Sequence, residues 1–403
     1  MVVECRARKN SAVPRRALLC LGISQMVCWG VTYYLIGIFG DRIAADLGWS
    51  STLVQGGFSV ALLIMGLTSA VTGRCIDRYG GRPVMAAGSV LAAFGCAGVA
   101  VATTPIGYFA AWACLGSAMR CTLYDAAFAA LARIGGPAAK QSMSQITLLG
   151  GLASSVFWPI GHGLAELLGW RGALLCYAAC ALLTLPLHLV LPNSTYVQQL
   201  STDGVVTPAP TADGPRDRWI AGGLYAVVVA GAGFLASGLS AHLIGILTGL
   251  GLAATAAVWV STLRGITQSV ARLFDVLFGR RRHPLDLNVI AVALLTLSFP
   301  PGFGGGQLVI LAFACTALYG AGNGLATITR GTLPLVLFDH RDYGSFTGRL
   351  LLPSFVLSAA APVTYAVMIE NYGATGALGL STAVALGMLA AAVILRARYR
   401  VTS

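Results

Sequence analysis

The sequence predicts an all-α integral membrane protein whose twelve transmembrane helices form two pseudo-symmetric six-helix bundles. Three observations support this fold class: the apolar composition, the one-sided distribution of basic residues, and an internal repeat. Of the 403 residues, 57% are hydrophobic and only 10% are charged, a balance that a soluble domain of this length does not have. Lipid is therefore the expected surrounding of most of the chain.

The transmembrane helices are predicted from long stretches without Asp, Glu, Lys or Arg, namely 83–119, 219–263, 287–329 and 350–369. Because about 20 apolar residues suffice for one crossing, several of these stretches must hold two helices, divided by turn residues at 103–107, 249–252 and 299–306. Uninterrupted apolar runs, without two-residue alternation, exclude a membrane β-barrel. The predicted segments in chain order are 17–39, 52–73, 83–103, 108–132, 142–165, 172–190, 220–247, 253–273, 288–299, 307–330, 348–369 and 375–395. The ninth is short for a crossing, so we expect it to begin nearer Leu285.

The basic residues of the loops predict the orientation of the chain. With a cytoplasmic N-terminus, the outside loops carry only Arg42 and Arg171, and the other loop and terminal arginines and lysines fall inside. This asymmetry follows the positive-inside rule, and it places both termini, 1–16 and 396–403, in the cytoplasm, with the chain in a bacterial inner membrane. The net charge of +12 then belongs to cytoplasmic loops, and we expect no nucleic-acid partner.

An internal repeat divides the chain into two halves. The stretch "GRCIDRYGGR" at 73–82 aligns with "ARLFDVLFGR" at 271–280 at a constant offset of 198 residues. A Pro-, Gly- and Thr-rich stretch at 192–218 lies between the halves and reads as a flexible cytoplasmic linker. We therefore predict one bundle at 17–191 and a second at 219–395. Such an arrangement is expected of secondary transporters, whose substrate site lies at the bilayer midplane between the repeats.

A loop signature between the second and third segments resembles that of the major facilitator superfamily (MFS). The pattern G-x-x-x-D-R-x-G-[RK]-[RK] is matched, with Gly81 in place of one basic residue, by Gly73, Asp77, Arg78, Gly80 and Arg82. The resemblance extends over essentially the full length, and it implies the MFS fold, alternating access, and a cavity lined by spans one, four, seven and ten. Two further stretches, 123–133 and 318–335, resemble bacterial members near the oxalate/formate antiporters and monocarboxylate transporters.

The signature residues are predicted to control conformational gating. Asp77 lies at the C-terminal end of its helix, where the dipole is already negative, so the carboxylate needs a partner. Arg78 and Arg82 can supply one. The resemblance implies another, the N-terminus of span eleven near 345–349, and a bridge there that opens with the cytoplasmic side. In the second half, the same role is predicted for Arg272, Asp275 and Arg280. Their partner would be the start of span five near 142–145. The alternative is that these charges only set topology.

Charged residues inside the spans are the strongest substrate-binding candidates. A charge in lipid is costly unless it faces a protein interior or water, so a functional role is the default hypothesis for such a residue. Arg120 and Asp125 in span four and Arg264 in span eight fall near the midplane, and Arg330 lies lower in span ten. If Arg120 pairs with Asp125, Arg264 remains as a guanidinium that suits a carboxylate bidentately. The alternatives are a purely structural Arg120–Asp125 pair and an Arg330 that snorkels to the interface.

Further candidates are polar or aromatic residues of the same spans. Span one carries a stripe of Gln25, Trp29 and Tyr33 at four-residue spacing, and Tyr124 lies one turn beyond Arg120. These residues, with Asn323, are predicted substrate contacts, although packing alone also accounts for them. Asp125, His162 and His242 are predicted proton-coupling groups, since a histidine side chain can change its charge near neutral pH. The alternative for the histidines is a structural role. His188, near a cytoplasmic helix end, is the least suited as a relay.

The leading functional prediction is secondary active transport of a small organic anion, a carboxylate, by alternating access with proton or counter-substrate coupling. The alternatives are proton-coupled drug efflux, for which Asp125 would be decisive, and a non-transporting membrane sensor. The sequence has no phosphate-binding loop, HExxH, GxSxG or Cys/His metal spacing, so we predict no enzyme activity, cofactor or metal. The ten cysteines are predicted to be free thiols. We expect a monomer whose partners are the bilayer and a small-molecule substrate.

Overall fold

The computed structural model describes residues 13–196, 211–212, 214–279, 282–339 and 342–400. The regular secondary structure of these residues is helical, and each predicted segment lies mainly on one helix or on consecutive helices separated by a short break. The first half contains α1 Arg15–Cys28, a π-helical turn Trp29–Tyr33, α2 Leu35–Leu47, α3 Ser51–Leu67, α4 Ser69–Tyr79, α5 Gly81–Val101, α6 Pro105–Thr122, α7 Tyr124–Gly135, a 3-10 turn Gly136–Ala138, α8 Ala139–Gly151 and α9 Ala153–Leu189. The second half contains α10 Pro215–Gly249, α11 Ala254–Phe278, α12 Pro284–Gly302, α13 Val309–Leu337, α14 Tyr343–Leu350 and α15 Leu352–Tyr399.

Two of these helices are too long for a single crossing. α9 has 37 residues and α15 has 48, which at 1.5 Å per residue gives about 55 and about 72 Å against a hydrocarbon core of about 30 Å. Each is interrupted by a glycine in the left-handed region, Gly169 at φ 70° and Gly373 at φ 67°. Hydrogen bonds across each break, such as Tyr365 to Ser381 at 2.6 Å, show that the two parts fold back on each other. Both helices therefore contain two of the predicted spans.

The described helices are those of an integral membrane protein. Seven helices or continuous helical runs are long and apolar enough to cross a membrane, and the α3–α4 pair, bent by 49°, adds an eighth when counted as one span. One run, Pro105–Leu189, has 85 residues and is long enough for several crossings. α11 is not among the seven; its 25 residues include Arg264, Arg272 and Asp275.

The chain forms two compact units. Unit 1 comprises Met1–Thr207 with His340–Arg349, and unit 2 comprises Pro208–Asp339 with Leu350–Ser403. The largest side chains fully buried in unit 1 include Trp112, Tyr108 and Tyr177, and the core of unit 2 is built around residues such as Phe299 and Tyr365. The helix α14 thus belongs to unit 1, although its neighbours in sequence, α13 and α15, belong to unit 2.

Small residues let α14 lie very close to α4. A Cβ atom at Gly344 would lie 2.6 Å from the Gly73 carbonyl oxygen, and one at Gly348 would lie 2.6 Å from the Ser69 carbonyl oxygen. Gly344 and Gly348 are four residues apart and so lie on the same face of α14. This is the small-residue spacing that allows close helix contacts in membrane proteins, and it brings the start of α14 to the end of α4.

Candidate functional site

Span four is broken at Leu123, between α6 and α7. Leu123 has extended backbone angles of φ −77° and ψ −174°, so the residues on either side belong to separate helices. Arg120 lies in the last turn of α6 and Asp125 in the first turn of α7. A helix C-terminus favours a cation and an N-terminus favours an anion. Each charge is therefore stabilised by its own helix end, and the five-residue separation is not a spacing along one helix.

The Arg120 side chain links the break of span four to the bend of span two through hydrogen bonds. Its side chain is buried, and its Nε donates to Ser69 Oγ at 2.9 Å while its Nη2 donates to the Ser69 carbonyl at 3.3 Å. Ser69 is the first residue of α4, directly after the bend between α3 and α4. The sequence did not single out Ser69, because a lone serine in an apolar run carries no recognisable signal.

The span-one stripe meets the same break. Gln25 Nε2 donates to the Thr122 carbonyl at 2.7 Å, at the end of α6 where the helix can no longer supply a partner. The Trp29 ring lies 4.8 Å from the Tyr33 ring and 5.0 Å from the Tyr124 ring, measured between centroids. The structure thus brings together four of the predicted substrate contacts within unit 1. A further ring, Phe58, lies 5.0 Å from Tyr33 and was missed, since phenylalanine in a membrane helix is usually packing.

Two polar atoms of this cluster are buried without a hydrogen-bond partner among the described residues, Gln25 Oε1 and Trp29 Nε1. An amide oxygen accepts hydrogen bonds and an indole N–H donates them. Leaving such groups unpaired costs about 1–3 kcal/mol each. The cluster therefore offers one acceptor and one donor, next to a wall of aromatic rings, to a molecule or water that enters it.

Arg264 lies near the middle of the unbroken α11 in unit 2. Its side chain is half-buried, and its Nη2 donates to Ser240 Oγ of α10 at 3.2 Å. Among the residues that the structure describes, no carboxylate lies within 4 Å of this guanidinium. Neither a helix end nor an acidic side chain compensates its charge there, in contrast to Arg120.

The helix α10 is joined to α15 beside a proline. Pro362 has no N–H, so the Ser358 carbonyl four residues earlier loses its helical partner, and Ser237 Oγ donates to that carbonyl at 2.6 Å. One turn further along, His242 Nε2 lies 2.9 Å from the Pro362 carbonyl oxygen. The His242 ring also stacks on Tyr365, with centroids 6.3 Å apart and an angle of 5°. His242 is half-buried in this contact.

The remaining predicted contacts of unit 2 lie on α13. The Arg330 guanidinium lies over the Phe355 ring at 5.4 Å, and the Arg330 carbonyl accepts a hydrogen bond from the Tyr225 hydroxyl at 2.7 Å. The Asn323 carbonyl accepts from Thr327 within the helix. The contact with an aromatic ring stabilises the Arg330 charge locally.

The Asp77 carboxylate contacts the start of α14. Its Oδ1 accepts from the Gly344 amide at 2.9 Å and its Oδ2 from the Ser345 amide at 2.6 Å, at the helix start that the resemblance implies. The unsatisfied amides and the dipole of a helix N-terminus both favour an anion. Arg78 and Arg82 are exposed, and Arg78 lies over the Tyr79 ring at 5.3 Å. The partner of the carboxylate is therefore a helix end, and Gly73 and Gly80 shape the backbone around it.

The corresponding residues of the second half differ in their surroundings. Arg272 and Asp275 are buried, at 3% and 5% exposure, whereas Arg74, which aligns with Arg272, is exposed. Arg272 Nη2 donates to Thr327 Oγ1 of α13 at 3.1 Å. Arg280 lies outside the described residues. The repeat in sequence thus does not carry over into equal environments.

The three histidines of the spans are also placed differently. His162 is exposed, 6.4 Å from the Trp158 ring. His188 is fully buried, with Nδ1 at 2.8 Å from Ser89 Oγ, which in turn lies 2.7 Å from Thr184 Oγ1. This hydrogen-bonded chain joins spans three and six. In the described ranges, no group of three or more His, Cys, Asp or Glu side chains could hold a metal ion.

Long apolar helices, two compact units, and broken spans that carry buried charges are features of an integral membrane protein with a polar interior. The chain belongs to the Major Facilitator Superfamily, whose sequence pattern matches residues 21–362. Among curated proteins, no sequence matches the chain.

Solved structures of this superfamily have the same fold. The human organic anion transporter MFSD10 (TETRAN) is 18% identical with a TM-score of 0.70, covering 94% of this chain and 99% of its own. The proton:xylose symporter XylE bound to 6-bromo-6-deoxy-D-glucose is 14% identical with a TM-score of 0.72, covering 96% and 95%. FucP in the outward conformation is 15% identical with a TM-score of 0.68, covering 96% and 99%. At these identities the likeness concerns the fold.

Proposed function

We propose that the protein is a secondary transporter of a small organic anion, a carboxylate, and that Arg264 binds the anionic group. The observation that carries the proposal is the position of Arg264 in the middle of α11, with a serine hydroxyl as its hydrogen-bond partner. A charge at such a position in a span is costly unless it faces water or a ligand. A guanidinium presents a planar fork that binds a carboxylate through two parallel hydrogen bonds.

The other intramembrane arginines have local compensation. Arg120 lies at a helix C-terminus and bonds to Ser69, and Arg330 lies over Phe355. Arg264 has neither kind of stabilisation in the part of the chain that the structure describes. An organic anion is the simplest counter-charge. The likeness to a fold neighbour named as a human organic anion transporter is compatible with this proposal, although at 18% identity it does not specify a substrate.

Drug efflux is the competing function, and it would depend on Asp125 as the binding site of a cation. Asp125 lies in the first turn of α7, where the positive end of the helix dipole stabilises a carboxylate. Its burial is therefore accounted for without a cationic substrate. This favours the anion over the cation as the transported species.

The test is transport in proteoliposomes with a panel of organic anions and organic cations. Arg264→Lys keeps the charge but loses the fork, and Arg264→Gln loses both. Since a hydrogen bond to a charged group contributes about 1.5–3 kcal/mol, we expect about 10- to 100-fold weaker anion transport for Lys and a larger loss for Gln. Arg396→Gln is the matched control, because Arg396 pairs with Asp286 at the end of α15, outside the predicted spans.

Two outcomes contradict the proposal. One is an Arg264→Gln protein that folds and moves organic anions at the wild-type rate. The other is a protein that moves organic cations and loses this activity in Asp125→Asn while tolerating Arg264→Gln, which is the result that drug efflux predicts.

A further inference from the structure

We propose that Gln268 and Asn323 bind a hydroxyl group of the transported anion, so that the substrate is a hydroxycarboxylate. This inference rests on the proposed function, in which Arg264 binds the carboxylate, and it adds the chemical class of the rest of the substrate. It is carried by two observations in unit 2. The contacts between α11 and α13 place both amides on the turn after Arg264, and neither amide has a hydrogen-bond partner among the described residues.

Two glycines of α13 fix its register against α11. A Cβ atom at Gly320 would lie 2.4 Å from the Arg264 carbonyl oxygen, and one at Gly324 would lie 2.5 Å from the Gln268 carbonyl oxygen. The two backbones are therefore in direct contact at both positions, as small residues allow in membrane helices. Since the contact advances by four residues on both helices, α11 and α13 run in the same direction with a constant register.

The hydrogen bond between Arg272 and Thr327 shows which side chains of the two helices meet. Arg272 Nη2 donates to Thr327 Oγ1 at 3.1 Å. Gln268 lies four residues before Arg272, and Asn323 lies four residues before Thr327. Each amide therefore occupies the same face of its helix one turn earlier. The constant register places Gln268 and Asn323 beside each other, and Gln268 is in turn four residues after Arg264.

The helix α10 contacts α11 and α13 on the sides that carry these polar residues. Its Ser240 hydroxyl accepts from Arg264 Nη2 at 3.2 Å, and its Tyr225 hydroxyl donates to the Arg330 carbonyl at 2.7 Å. Arg330 lies seven residues, or two turns, after Asn323. The two amides therefore belong to a polar region of unit 2 that three helices share.

The hydrogen-bonding groups of the two amides match a hydroxyl group. Both side chains are half-buried, and in the described part of the chain neither amide is bonded to another group, although Asn and Gln in spans ordinarily bond to a neighbouring helix. Each amide has a carbonyl that accepts and an NH2 group that donates. A hydroxyl can donate to one and accept from the other. A keto group or a second carboxylate only accepts, and would leave the amide carbonyls unpaired.

The test measures uptake into proteoliposomes for labelled anions that differ by one hydroxyl: propionate and lactate, and butyrate with β- and γ-hydroxybutyrate. For at least one position of the hydroxyl, we expect the KM of wild type to be roughly tenfold lower than for the unsubstituted anion, because two hydrogen bonds distinguish the two molecules. Gln268→Leu and Asn323→Leu should each lose this preference and leave the KM of the unsubstituted anion close to wild type. Gln307→Leu is the control, since Gln307 is exposed in the loop between α12 and α13.

The outcomes separate this inference from the proposed function. If wild type transports none of these anions and none of them raises its melting temperature, the proposed function fails and the inference fails with it. If wild type transports carboxylates without distinguishing hydroxylated from unsubstituted ones, only the inference is wrong. The inference is also wrong if either Leu variant keeps the preference. A Leu variant that loses transport of both kinds of anion alike contradicts it as well, since the amide would then serve packing.

Discussion

At the scale of single residues, Gln25 shows how a buried polar side chain holds an irregular backbone. Its Nε2 is the donor for the Thr122 carbonyl at the break of span four, and the side chain is fully buried. Polar side chains buried in this way are usually retained for such a bond, because the alternative is an unsatisfied carbonyl in an apolar interior.

Replacing Gln25 with Leu should therefore lower stability. The Thr122 carbonyl would lose its donor at nearly constant side-chain volume, whereas removal of the unpaired Oε1 partly offsets this effect, so we expect a net loss of about 1 kcal/mol. The measurement is the thermal unfolding of the detergent-purified protein. Gln55→Leu is the control, because Gln55 is exposed on α3 and should change stability by less than about 0.5 kcal/mol. Equal melting temperatures for Gln25→Leu and wild type would contradict this role.

The charged residues of span four show what sequence could and could not provide. That Arg120 and Asp125 are intramembrane charges is evident from their apolar surroundings. Their relation to each other was not, because the break at Leu123 contains neither proline nor glycine. It is stabilised by contacts from elsewhere in the chain, from Gln25 and Ser69, and a local pattern does not report such contacts. The same holds for the π-helical turn of span one.

At the scale of elements, α14 is the helix whose attachment is most specific. Its first amides bond to Asp77, and its glycines lie against α4. We propose that this attachment is part of conformational gating: the contact favours the outward-facing state and breaks when the predicted cytoplasmic side opens. The helix dipole and the two hydrogen bonds make it a switchable contact, since both act over short distances.

Asp77→Asn should accordingly impair transport while leaving substrate affinity in the accessible state nearly unchanged. The substitution removes the charge from the α14 N-terminus, an effect of about 1 kcal/mol, and so shifts the populations of the two states without touching the binding residues. Substrate binding and alternating accessibility of engineered cysteines are the two measurements. Asp41→Asn, an exposed acid on α2 of the same unit, should leave both unchanged. A large loss of intrinsic binding with unaltered accessibility would argue against gating.

The boundaries of the helices could be predicted wherever apolar runs end at turn residues. Gly169 and Gly373 fall in the short gaps between predicted segments, and the structure places the turns there. The helices extend beyond several predicted ends. For example, α12 begins at Pro284, next to the expected start near Leu285, but it ends at Gly302 and not at the predicted residue 299. Pro300 and Pro301 read as a turn in the sequence and are instead the last turn of the helix.

At the scale of the whole molecule, the charge asymmetry predicts one cytoplasmic face for the loops 73–82 and 271–282. Topology is set by basic residues near the ends of spans, and both loops carry several. Cysteines introduced into either loop should be shielded from an impermeant thiol reagent in intact cells and react after the membrane is opened, on a background without the native cysteines. Labelling of either loop from outside would show that the predicted orientation is wrong. A cysteine next to Arg171, in a predicted outside loop, is the positive control.

The aligned loops and the linker predicted two repeated halves, and the signature around Asp77 predicted membership of the superfamily, which the family match confirms. The substrate was not, because the residues that decide it are few and are not part of the shared signature. The different burial of Arg74 and Arg272 could also not be predicted from the sequence. Burial depends on the neighbouring residues in the fold, and two similar stretches of sequence have different neighbours.

The place of α14 in unit 1 has a consequence for biosynthesis. Unit 1 reaches Thr207 and is completed by residues that begin at His340, so the 132 residues Pro208–Asp339 of unit 2 lie between its two parts. At about 5–20 residues per second, the ribosome needs roughly 7–27 s to supply the missing helix. During that interval the face of α4 that later packs against Gly344 and Gly348 has no partner helix. The Asp77 carboxylate likewise lacks the two amide donors at the start of α14. Unit 1 can therefore be completed only after most of unit 2 has been synthesised.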